Sequence, residues 1–138
     1  MTLHERIKPY NTRDSYPDMT MDYELCQAVK ARGTMVFLRG QVSQNLKTAE
    51  PLYKDDPAKQ AAQTVANIRV LLEAAGASLE HICRTVVYIT DIKHRQEIYQ
   101  ELGKQFDGVL PCSTGIVVSA LARPEWVVEI EVTAVIPD

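Results

Sequence analysis

Along the chain the spacing of apolar positions changes several times, and each change marks an element. Two apolar runs, Leu25–Lys30 and Thr34–Val42, flank Ala31-Arg32-Gly33, which predicts a hairpin of two strands. After a polar loop over 43–56, Ala58, Ala61, Ala62, Val65, Ile68, Leu71, Leu72 and Ala75 recur at helical spacing. Asp55-Asp56 offers an N-cap, Pro57 suits the first turn, and Gly76 closes the helix. This stripe is narrow and rich in alanine, so the helix is expected to pack closely on a sheet. Ile82–Thr90 is β-branched and aromatic with Arg84 as its one charge, and reads as a strand buried on both faces. Asp91 caps a second helix near Lys93–Phe106, with Tyr99, Leu102 and Phe106 facing inward. Gly103 weakens this helix by about 1 kcal/mol relative to alanine, and Gly108 ends it. Two long strands close the chain, Thr114–Leu121 and Trp126–Ile136, joined by a loop in which Arg123 and Pro124 shape a last hairpin.

Residues 1–23 are polar, carry Pro9 and Pro17, and show no period. They read as an extended N-terminal arm, ordered only by lying on something else, ahead of a single domain over 24–138. The order of that domain, β-β-α-β-α-β-β, defines an α+β class with a mixed sheet. Right-handed crossovers place both helices on one face. Val86 and Tyr88 nevertheless point away from Val87 and Ile89, so the opposite face is apolar too. Monomers rarely expose such a face, and a homo-oligomer with packed sheet faces is expected.

Composition narrows the partners. A formal charge of -3 with no basic stripe argues against a grip on nucleic acid. No apolar run reaches the ~20 residues of a membrane span, and the opening residues lack a signal-peptide core. Cys26, Cys83 and Cys112 are odd in number and show no short pairing, which fits reduced thiols in a cytoplasmic protein rather than a disulfide framework or zinc site. His4, His81 and His94 are isolated, lack metal-ligand spacing and read as surface groups.

Several candidate residues remain. Glu129 and Glu131 sit two apart on the last strand and so share a face, where like charges cost stability unless solvent or a partner relieves them. Arg39 lies inside an apolar run just before Gly40 and needs an anionic partner or a route to water. Pro111 and Gly115 bracket the start of the penultimate strand, where a backbone comes close to something. Ser113 and Thr114 offer hydrogen bonds to a polar ligand but have no base nearby in sequence to make a nucleophile. Cys112 and Cys26 are candidate cleft linings or small buried residues, and Trp126 reads as a core or interface aromatic.

The segment Gly40-Gln41-Val42, the helix AAQTVANIRVLLEAAGASLEHI, the strand TVVYITD and the closing VVEIEVTAV resemble the RidA (YjgF-like) family of enamine/imine deaminases, over roughly residues 24–136. The resemblance implies a chorismate-mutase-like fold and a homotrimer with ligand sites in the clefts between subunits. It implies hydrolysis of a small imine or enamine without cofactor or metal. Glu129 falls on the glutamate associated with the attacking water, and Gly40 on the glycine of the family's S-G-Q segment. Ser113 stands where the family's carboxylate-binding arginine would be, Arg39 where its serine precedes glycine, and Leu25 or Cys26 in the region of its tyrosine. These departures point to a substrate other than 2-aminoacrylate. They leave open a non-catalytic trimer binding a metabolite or partner protein through the same clefts. Arg39 either replaces the lost positive charge or pairs with Glu129 or Glu131, and Glu131 is assigned a structural role beside a basic side chain.

Overall fold

The computed structural model describes residues 4–16, 18 and 21–138. Strand β1 (Glu5–Asn11) and a one-turn helix α1 (Thr12–Ser15) come first. They are followed by β2 (Glu24–Lys30), β3 (Gly33–Phe37), helix α2 (Pro57–Ala74) and β4 (Ile82–Ile89). Helix α3 (Arg95–Gln105), β5 (Cys112–Val117) and β6 (Val128–Pro137) complete the chain. From Glu24 onward this is the predicted order. The segment read as an arm contains β1, which runs antiparallel to β2 with Tyr10 opposite Leu25. Arg6 ties it down, donating to the carbonyls of Ile82 at 2.8 Å, Glu80 at 3.1 Å and Leu110 at 3.2 Å. The remainder of the arm reading, at residues 1–3, 17, 19 and 20, lies outside the described residues.

Neither predicted hairpin forms. β2 pairs with β1, while β3 joins a four-stranded sheet of order β3-β6-β4-β5. Gly33, at φ 142°, brings the chain onto β6 with its α-carbon against the Ile136 carbonyl, where a side chain would not fit. At the far end β4 lies between β5 and β6, parallel to the first and antiparallel to the second. A central strand needs backbone partners on both edges, and the α3 crossover delivers β5 to the edge of β4 that β6 leaves free.

Register sorts the side chains. On one face Val87 and Ile89 of β4 and Val128, Ile130, Val132 and Ala134 of β6 meet Ala61, Val65, Ile68 and Leu72 of α2 and Ile98 and Leu102 of α3 in a single core. Both helices therefore cover the same side, as predicted. Asp56 caps α2 by accepting from the Lys59 amide at 3.0 Å. Asp91 caps a 3-10 turn, Ile92–His94, that precedes α3. The other face of the sheet is open, and it carries Phe37 at 70% exposure, Met35 at 55% and Ile116 at 42%.

Gly103 gives the clearest local test of the packing. Its α-carbon lies against the Asp22 carbonyl, and a β-carbon there would overlap it. In an open helix Gly→Ala stabilises by about 1 kcal/mol. Gly103→Ala is expected to reverse that sign and destabilise by about 1–3 kcal/mol, the range for overpacking, as read from urea unfolding.

Candidate active site

The open face becomes a site where β3 runs out. Leu38 still donates to the Val132 carbonyl at 3.1 Å, and Gln41 exchanges two backbone bonds with Ile130 at 2.8 and 2.9 Å. Between these points Arg39 and Gly40 stand where a regular ladder has one residue. Such a bulge re-aims the backbone and is common beside active sites. The Gln41 side chain fixes it by donating to the Arg39 carbonyl at 2.8 Å. Gly40 consequently faces the Glu129 carboxylate so closely that a β-carbon would overlap it. A cavity of about 440 Å³ opens here, lined by Phe37, Arg39, Gly40, Gln41, Trp126 and Glu129 among others.

Partial burial raises the Glu129 pKa above the ordinary glutamate value; the Arg39 guanidinium lowers it, and Glu131 raises it further. No ion pair joins Arg39 to either glutamate among the described residues, and its side chain is exposed. Its charge is felt by Glu129 without being spent on a salt bridge. The acidic pair does divide, but the partner of Glu131 is not basic: the Tyr88 hydroxyl donates to it at 3.1 Å. That bond also raises the Tyr88 pKa.

A carboxyl group whose pKa rises on folding stabilises most below its free-chain value and loses that contribution as pH climbs through the folded value. Glu129→Gln removes the charged form. It is expected to melt at a higher temperature than wild type at pH 7.5, with the difference vanishing near pH 4 in thermal scans.

The β5 candidates lie elsewhere in the subunit. Cys112, Ser113 and Thr114 pair with Arg84, Thr85 and Val86 of β4, and β4 separates them from Glu129 on β6. Thr114 shares the open face. Ser113 and Gly115 look toward the helices, where the Tyr99 hydroxyl rests against the Gly115 α-carbon. That contact is the close approach expected at Gly115. One subunit thus brings Arg39, Gly40 and Glu129 together and leaves Cys112, Ser113 and Thr114 on another wall. Cys26 is buried, its thiol donating to the Leu110 carbonyl at 3.1 Å.

Other placements differ from expectation. His4 is buried rather than on the surface, its Nε2 2.7 Å from the Val135 carbonyl, because β1 packs the chain start against β6. Arg123 pairs with Glu125 at 3.1 Å in an exposed loop rather than shaping a hairpin. Trp126 is buried and donates to the Ser43 carbonyl at 2.8 Å. The residues that hold the cavity walls were missed. Gln60 reaches the Glu125 carbonyl at 2.8 Å and accepts from the Val127 amide at 3.0 Å. Asn67 donates to the carbonyls of Gln44 at 2.8 Å and Val42 at 3.1 Å. Their signal was present as polar residues beside the apolar stripe of α2, with Thr64 between them.

A mixed sheet with both helices on one face, and a carboxylate-bearing cleft on the other, defines a chorismate-mutase-like fold. The family model described as Endoribonuclease L-PSP matches residues 17–136. Protein DfrA of Myxococcus xanthus is 31% identical over 122 residues, covering 88% of this chain and 91% of its own. The 2-iminobutanoate/2-iminopropanoate deaminase of Escherichia coli K12 is 29% identical over 106 residues, covering 75% and 80%. Among solved structures, YyfB of Yersinia pestis, a Rid-family protein of unknown function, superposes with a TM-score of 0.80 at 28% identity, covering 96% and 98%. RidA from an Antarctic Psychrobacter gives 0.68 at 31%, covering 80% and 87%. The chain belongs to the RidA (YjgF-like) family. No helix among the described residues is long and apolar enough to cross a membrane.

Proposed function

We propose that the protein hydrolyses the C=N bond of a small imine, or of the imine tautomer of an enamine, in clefts formed between copies of the chain in a homotrimer. The observation that carries this reading is the Gly40–Glu129 contact: a half-buried carboxylate of raised pKa, held by a bulge at the edge of an open sheet face. Glu129 takes a proton from water as the oxygen attacks the C=N carbon and returns it to nitrogen, giving a carbinolamine. The same carboxylate then carries the carbinolamine's hydroxyl proton to nitrogen as the C–N bond breaks, leaving a carbonyl compound and ammonia. Arg39 binds an anionic group of the substrate beside it, and Gly40 leaves backbone open to the ligand. A second copy, docked on Phe37 and Met35, brings the edge of its β5 to the cleft, with Ser113 on one side of the strand and Thr114 and Cys112 on the other. Ser113 cannot give the bidentate, charged contact of an arginine, so the substrate differs from 2-aminoacrylate.

Ser113 also favours a second reading, a non-catalytic trimer that binds a metabolite or partner in the same clefts. The test is to generate 2-imino acids in situ with an amino-acid oxidase and trap the surviving imine with semicarbazide. Faster imine loss that disappears in Glu129→Gln supports hydrolysis. Unchanged loss with every imine offered supports the binding protein.

A further inference from the structure

Arg95, in the first turn of α3, has no place in the reading above. Its guanidinium carbon lies 5.2 Å from the centre of the Tyr99 ring. Tyr99 is held edge-on by Tyr23, with ring centres 6.1 Å apart, and its hydroxyl rests against Gly115. The Arg95 Nε is buried with no hydrogen-bond partner, and no carboxylate pairs with Arg95 among the described residues. Arg95 is half-exposed, but a buried Nε–H without an acceptor is costly, and stacking on a ring offsets only part of that cost. Arg95 also borders a cavity of about 200 Å³ with Met21, Ile92 and Lys93, so open space reaches it. The sheet face it serves is the helix-facing side of β5, which Ser113 and Gly115 share.

We infer that Arg95, aimed by Tyr99, is a second anion-binding residue on the β5 wall of the cleft, and that the substrate class is therefore a small acid with two carboxylates. This rests on the proposed intersubunit cleft, in which Arg39 stands on one wall and Arg95 on the other, each without a carboxylate partner. One guanidinium per wall matches one carboxylate at each end of the ligand, and a monocarboxylic acid leaves one of them bare. Fixed planar donors favour such end-to-end recognition over a diffuse positive field.

The experiment uses stable 2-oxo acids as product analogues, with binding followed by calorimetry on the assembled protein. Oxaloacetate and 2-oxoglutarate represent the dicarboxylates and 2-oxobutanoate the monocarboxylates. Wild type is expected to bind a dicarboxylate roughly 10- to 100-fold more tightly, the strength of one charge-assisted contact. Arg95→Gln is expected to erase that preference while leaving 2-oxobutanoate unchanged, and Arg95→Lys to restore part of it. Arg39→Gln is expected to weaken both acids. Equal affinities in wild type, or a loss in Arg95→Gln shared by both acids, overturns the inference. Because binding is read without turnover, an absence of imine hydrolysis overturns the proposed reaction and leaves this assignment standing on its own result.

Discussion

Replacing Glu129 by glutamine is expected to slow imine hydrolysis by roughly 100- to 10,000-fold, the range for a positioned general base. Glutamine preserves the volume against Gly40, so the cleft keeps its shape and ligand affinity changes little. What disappears is the proton acceptor. The acid limb of the wild-type rate profile is expected to lie above the ~4.3 of an unperturbed glutamate, because burial raises the Glu129 pKa. Lowering pH through that value protonates Glu129 and stops activation of water. Steady-state rates from pH 4 to 8 check both points. A Glu129→Gln protein as fast as wild type removes Glu129 from the chemistry.

Phe37→Glu is expected to dissociate the assembly, the other large effect. Phe37 is 70% exposed in the subunit, with Met35 beside it on the same strand face. Burying such a side chain is worth about 1.5–3 kcal/mol each time it occurs, and a trimer repeats the contact three times. A glutamate there removes this gain and sets an unpaired charge near Glu129 and Glu131, a second penalty of the same sign. Sedimentation at micromolar concentration is expected to give a monomer without imine hydrolysis and with an unchanged far-UV spectrum. A fully active monomer contradicts the intersubunit cleft.

The sequence made the periodic elements legible. α2 and β4 announce themselves because an amphipathic stripe and a two-faced apolar strand leave few alternatives. Pairing was less legible, since a run of apolar residues says nothing about which edge it will meet. β3 chose β6 over β2, and β5 was parted from β6 by β4, for reasons lying in residues distant along the chain. Glu129 and Gly40 were read from family likeness, and their contact needed the bulge at Arg39. Gln60 and Asn67 were hidden because a buried polar residue on a helix shows its partner only after folding. Arg95 was hidden because α3 reads as an ordinary surface helix until Tyr99 carries it toward Gly115.

The cleft between copies is tested most directly by mixing two inactive proteins. Glu129→Gln damages the β6 wall. Gly115→Leu damages the β5 wall by displacing the Tyr99 hydroxyl, and sedimentation confirms that each variant still assembles. If every cleft takes Glu129 from one copy and β5 from its neighbour, random co-assembly restores both walls in about a quarter of the clefts, and imine hydrolysis returns to that extent. If both walls belong to one subunit, every cleft keeps one lesion. Co-expressed variants that stay as inactive as either alone contradict the shared site.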